Sequence, residues 1–195
     1  SKARGATWQV LGQQVLMGKL NIPVIPPGEV AKLELSEFSR PRFEQAQQLA
    51  PYGLPSNLDA WDGYPAARER LFAMLSAHAN NPISLAGDTH NGWAFNLTNQ
   101  KGEAVGVEWG TPGISSPGLE NYVPLPPEQM QALLKGASPE LVACDTSQRG
   151  WTHVTLTPKA ATAQWRFVSS VVEPVYTTHF GSELAVQAGD RELEA

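Results

Sequence analysis

Apolar residues recur along this chain in two rhythms, and the switches between them mark the elements. Trp8, Val10, Leu11, Val15 and Leu16 are mixed with Gln and Gly and no proline intervenes, which predicts a buried strand over residues 8–16. Residues 21–60 are rich in proline and polar side chains, and only short helical pieces fit, between 33 and 49. A long irregular stretch in a compact domain is commonly functional or an inserted lid. The helical rhythm starts at Pro65. Leu71, Met74, Leu75 and His78 recur three and four positions apart, with Arg68 and Glu69 facing elsewhere. Asn80-Asn81-Pro82 stops that helix, and the apolar run Ile83-Ser84-Leu85-Ala86 then reads as a central strand of an α/β sheet ending at Gly87.

The strand rhythm dominates from there. Residues 93–97 and 104–109 form a predicted hairpin around Asn99-Gln100-Lys101-Gly102. Residues 110–127 hold three glycines and five prolines and read as a loop, and Pro126-Pro127 leads into a helix over 128–134. Two more strands, 151–156 and 164–172, turn at Thr157-Pro158-Lys159. Helices early and hairpins late predict a mixed α/β (α+β) layered fold with an antiparallel portion, not a simple doubly wound unit.

Composition narrows the classes. A chain of 195 residues with 42% hydrophobic content fits one domain or a large piece of a bigger one. A net charge of −5 argues against non-specific nucleic-acid or anionic-membrane binding, because both need clustered Lys and Arg. Phosphate chemistry stays open, since a bound metal supplies positive charge that composition never shows. The single cysteine, Cys144, allows no disulfide within the chain and reads as a small buried residue. No apolar stretch is long enough to span a bilayer, and no signal run follows Ser1, although a leader can be removed.

Candidate chemistry concentrates at Gly87-Asp88-Thr89-His90, directly after the 83–86 strand. Residues two apart in extended backbone point to one side, so Asp88 and His90 are expected to converge on a point above the sheet. Ligands collect at the carboxyl ends of strands in such sheets, and Gly87 would allow a sharp turn or a close approach. Oxygen beside nitrogen suits Zn, Fe or Mn. The plainer alternative has Asp88 capping a turn and His90 as a half-buried polar residue. Asp59-Ala60-Trp61-Asp62-Gly63-Tyr64-Pro65 offers a second cluster, with Asp62 either lining the site or capping the helix and pairing with Arg68. The Glu108–Gly118 loop could hold an anion or act only as a connector. Ser84, Ser115 and Ser116 leave a Ser-His-Asp arrangement open, but no Gly-x-Ser-x-Gly elbow is present. His78, His153 and His179 carry no motif.

Four segments together resemble the alkaline phosphatase D (PhoD-like) family of metallophosphoesterases. They are Trp8-Gln9-Val10-Leu11-Gly12-Gln13-Gln14-Val15-Leu16, the run from Trp61-Asp62-Gly63-Tyr64 to Arg70, Ala86-Gly87-Asp88-Thr89-His90, and Val107-Glu108-Trp109-Gly110-Thr111 through Ser115-Ser116-Pro117-Gly118. The resemblance extends to about Val172 and implies a calcineurin-like αββα sandwich of four layers. It implies that residues 1–195 are the C-terminal part of a catalytic domain whose N-terminal half lies on another segment or a second chain. It implies a metal centre of iron and calcium, with Zn, Mn or Mg as alternatives, and Asp88 and His90 as ligands by correspondence with a Gly-His-x-His motif. Cys144 lies too late to match the family's iron-binding cysteine. The implied reaction is hydrolysis of a small phosphate ester, mono- or diester. No nucleic-acid partner is expected, and the location implied is periplasmic or secreted. The reading from another class is a non-catalytic binding module that keeps the fold.

Overall fold

Five segments pair into one sheet around three central strands that are buried almost throughout. The computed structural model describes residues 5–194. The larger sheet contains β1 (Gln9–Gly12), β2 (Pro82–Ala86), β3 (Gly92–Thr98), β4 (Ala104–Gly110) and β5 (Leu141–Asp145), in the order β1-β2-β4-β3-β5. β2 runs parallel to both β1 and β4, whereas β3 is antiparallel to β4 and to β5. The smaller sheet is the antiparallel set β6 (Gly150–Leu156), β7 (Ala160–Val168) and β8 (Thr178–Gln187). Alternation along β3 shows how the layers stack. Ala94 meets the second sheet in a core with Ile83, Trp109, Ala163, Trp165 and Phe167. Trp93 and Phe95 belong to the opposite core. That core is closed by Phe43 of α2 (Arg40–Leu49), Phe72 of α3 (Pro65–His78), and Met130 and Leu134 of α4 (Pro127–Ala137). A four-residue helix, α1 (Pro27–Val30), lies in the proline-rich stretch. The mixed α/β prediction holds. Among the described residues one helical layer and two sheets of the αββα arrangement are formed.

The differences from the predicted elements have physical causes. The first strand stops at Gly12. Gln13 N–H still reaches the Leu85 carbonyl of β2 at 3.0 Å, but residues 17–19 bond elsewhere. The backbone N–H groups of Met17 and Gly18 donate to the Glu108 carboxylate at 2.9 and 2.8 Å. Ser84 Oγ donates to the same group at 2.8 Å and Gln13 Nε2 at 3.2 Å. Burial pushes the Glu108 carboxyl up from its ordinary range, and the Gly18, Met17 and Ser84 donors pull it back part of the way. β7 covers 160–168 in place of 164–172, since Thr157 N–H and hydroxyl both bond the Ala160 carbonyl and close the expected turn so tightly that pairing with β6 begins directly after it. β5 and β8 were not anticipated. Among the described residues no helix is long and apolar enough to cross a membrane.

The apolar stripe predicted for α3 is partly inverted. Met74 is 62% exposed and Arg68 only 2%. Arg68 is buried because its guanidinium finds a partner on every side. Nε donates to the Met17 carbonyl at 2.7 Å, Nη1 to the Thr98 carbonyl at 3.0 Å and Nη2 to Glu140 at 2.7 Å. The group also stacks 4.2 Å from the centre of the Phe72 ring. Glu140, itself buried, further accepts from Lys19 N–H at 2.9 Å and the Thr98 hydroxyl at 2.7 Å. Glu108 and the Arg68–Glu140 pair thus staple residues 13–19 onto the sheet.

Removing one partner leaves the other charge buried and unpaired. Arg68→Met is expected to cost about 3–5 kcal/mol in urea unfolding, and adding Glu140→Gln recovers part of that loss. Burial, with the neighbouring Asp145 charge, pushes the Cys144 thiol up to about 12. Cys144 should therefore resist thiol reagents at pH 8 in the folded protein and react once urea unfolds it.

Candidate active site

The residues after β2 do not continue as extended chain. Asp88 and His90 both have φ of +65°, the left-handed region that costs most residues energy. The expectation that they share a side because they are two apart in extended backbone is therefore incorrect. Gly87 is not the residue that makes the turn. It lacks positive φ, and a Cβ there would make ordinary contacts, with the Thr111 methyl at 3.7 Å and the Gln14 carbonyl oxygen at 4.0 Å. The close approaches come from the facing loop. A Cβ on Gly113 would lie 3.1 Å from His90 Cβ, and one on Gly118 would press into the Arg149 guanidinium and the Asn91 amide.

The strained turn persists because its polar groups are held from three sides. From the β1 side, Gln14 O accepts from Gly87 N–H at 2.9 Å, and Gln14 Nε2 reaches Asp88 Oδ1 at 3.4 Å. From the loop after β4, Gly113 N–H donates to the His90 carbonyl at 2.9 Å, and Asn91 Oδ1 accepts from Leu119 N–H at 3.0 Å. From the start of the second sheet, Arg149 Nη1 donates to the same His90 carbonyl at 2.9 Å. Arg149 is itself buried and ion-paired with Glu120. Inside the turn, Trp93 Nε1 donates to Thr89 Oγ1 at 2.5 Å.

One bond decides the state of the imidazole. His90 Nδ1 lies 2.8 Å from the Pro117 carbonyl oxygen. A carbonyl only accepts, so Nδ1 carries the proton, and in the neutral ring Nε2 keeps its lone pair. Asp88 is exposed and His90 partly so. The two lean on opposite neighbours of β2, Gln14 and Pro117, and bracket the strand's exit. Among the described residues no third His, Cys, Asp or Glu joins them in a cluster able to hold a metal. One carboxylate oxygen and one imidazole nitrogen are donors of the kinds that metal cations take.

The other candidates separate clearly. Asp62 does not cap α3, whose N-terminus has no side-chain cap. Burial pushes its carboxyl up, against the pull of the Arg68 charge, and its Oδ2 has no hydrogen-bond partner among the described residues. It shares a small cavity with Thr89, so it borders the turn without joining it. Ser84 is buried on Glu108, and the His90 ring bonds the Pro117 carbonyl, not a serine hydroxyl. The Glu108–Gly118 loop is a clamp on His90 as well as a connector. His153 is exposed on β6, and His179 bonds Gln148 at 2.6 Å beside the Phe167 ring. The sequence reading missed Arg149, Asn91 and Gln14, which hold the turn. Only Gln14 stood in a quoted motif, and a polar residue in a predicted strand was the one signal available.

The strain has a measurable consequence. Asp88→Gly relieves a left-handed non-glycine residue and is expected to change stability by no more than about 1 kcal/mol, in the stabilising direction, in urea unfolding.

Comparison with known proteins bears on the family and the fold. Residues 1–165 match the family described as PhoD-like phosphatase. A stretch of 123 residues, 60% of the chain, is 32% identical to alkaline phosphatase D of Bacillus subtilis (strain 168). The solved structure of PhoD superposes over 97% of this chain with a TM-score of 0.66 at 23% identity, which shows a shared fold. The chain spans 20% of the length of the Bacillus protein and 31% of the PhoD structure. The family match covers well over half of the residues, and the chain belongs to the PhoD-like phosphatase family.

Proposed function

We propose that this chain supplies Asp88 and His90 to a metal centre that hydrolyses phosphate esters, the remaining ligands coming from a further segment or a second chain. The observation that carries the reading is the Nδ1 bond of His90 to the Pro117 carbonyl, which leaves Nε2 directed by a rigid partner and free to bind. Backbone strain at both candidate ligands supports it, because such strain is retained where function requires it. Family membership supplies the chemistry class.

Asp88 would contribute a carboxylate oxygen and His90 its Nε2. A metal bound there would polarise the phosphoryl oxygens and lower the pKa of a water. The chain's own part is positional. The Gly113 N–H and Arg149 fix the His90 backbone, and the Pro117 carbonyl orients the ring. Asp88 is the harder, anionic ligand, which suits calcium, while the imidazole suits iron, zinc or manganese. The resemblance favours an iron and calcium pair and an extracytoplasmic location, and both belong to this proposal. Substrates are small phosphate esters.

Asp88→Asn and His90→Ala are each expected to lower hydrolysis of 4-nitrophenyl phosphate by roughly 100-fold or more in the intact enzyme, with matching loss of bound metal by elemental analysis. Wild-type activity in either variant would overturn the ligand assignment. Loss of activity with chelator, restored by added metal, separates this reading from a serine hydrolase. A metal-free, inactive assembly would favour the binding module.

A further inference from the structure

An apolar cavity of about 390 Å³ lies against the candidate site. Ile25, Phe43, Trp93, Met130 and Leu134 form much of its wall, and Thr89, His90 and Asn91 border the same space. Its volume falls in the range of small-molecule pockets. The walls are held before any ligand arrives. Gln47 of α2 accepts from Ile25 N–H at 2.8 Å and donates to the Pro23 carbonyl at 3.1 Å, fixing the irregular stretch to the helix. Trp93 ties the floor to the turn through Thr89.

Two features indicate what the space takes. Water needs two to four polar partners to be held in a cavity, and these walls are overwhelmingly carbon. The space also opens beside Thr89 and His90, so an occupant sits next to the imidazole. An apolar wall next to an imidazole is the complement of the organic part of an ester whose reacting group lies at that ring.

Building on the phosphoester reading, we propose that this cavity binds the organic group of the substrate, an alkyl or aryl chain, while its phosphoryl group lies at Asp88 and His90. The enzyme thereby selects phosphate esters with apolar groups over those of sugars or other polyols, whose hydroxyls would be stranded against Phe43, Met130 and Leu134.

The test uses the metal-loaded intact enzyme with its methionine methyl groups isotopically labelled. Met130 lines the cavity, and Met74, exposed on α3, is the internal control. In a 1-butanol to 1-octanol series, the Met130 signal should shift and the Met74 signal should not, with affinity rising roughly fourfold per methylene. Octylphosphonate should bind far more tightly than methylphosphonate and be displaced by inorganic phosphate, whereas octanol should not be displaced. Ala46→Phe narrows the cavity from α2 and should remove the length dependence, leaving methylphosphonate binding unchanged. If that variant misfolds, the series in the unmodified enzyme decides. Affinity independent of chain length, or no shift at Met130, would overturn the proposal, including the case in which another part of the protein fills the cavity. Octylphosphonate binding that phosphate cannot displace would overturn the shared placement. An intact alkanol series with no metal-dependent binding of phosphate or any phosphonate would instead sink the phosphoester reading, and the substrate class with it.

Discussion

The carbonyl of His90 is the point on which the site depends. It accepts from Gly113 N–H and from Arg149, while the ring of the same residue bonds the Pro117 carbonyl. Those three bonds come from the loop after β4 and the start of β6, two places that meet only once both sheets have formed. The turn after β2 would not keep two left-handed non-glycine residues on its own. Tertiary structure over-determines it, and the strain is the local cost of placing a carboxylate and an imidazole at the exit of one strand.

The support behind that turn is polar and buried, which is unusual for a core. Glu108 at the centre of the sheet takes the N–H groups of Met17 and Gly18, and Arg68 takes the Met17 carbonyl while pairing with Glu140. Residues 17–19 are therefore held by side chains where a strand would have been held by its neighbours. The benefit is shape. An irregular segment beside β2 presents Gln14 to Asp88, which a straight strand would not do. A buried network of this kind is weak support for stability and good support for a single conformation, provided every member is bonded.

Much of the fold was legible from rhythm alone. α3, α4, β2 and the β3–β4 hairpin announced themselves by spacing and by their prolines and glycines, since each buries a regular face. The failures share a cause. Arg68 reads as a solvent-facing charge because periodicity cannot show that three acceptors await it inside. β8 is an edge strand whose outer residues are largely exposed, so it has little alternation to read. At the site, Asp88 and His90 were visible as residue types but not as conformations, because positive φ at Asp and His has no sequence signature comparable to glycine. Arg149 and Pro117 act through position only, one through a guanidinium and the other through a backbone carbonyl that any residue could supply.

The arrangement makes a specific claim about one nitrogen. If the turn is clamped as described, His90 is locked as the tautomer protonated at Nδ1, with Nε2 bare and available to a cation. Long-range ¹H–¹⁵N correlation of the His90 ring at a pH where it is neutral reads this directly. The account predicts one tautomer, with the proton on Nδ1. A ring protonated at Nε2, or one averaging between both forms, would contradict it.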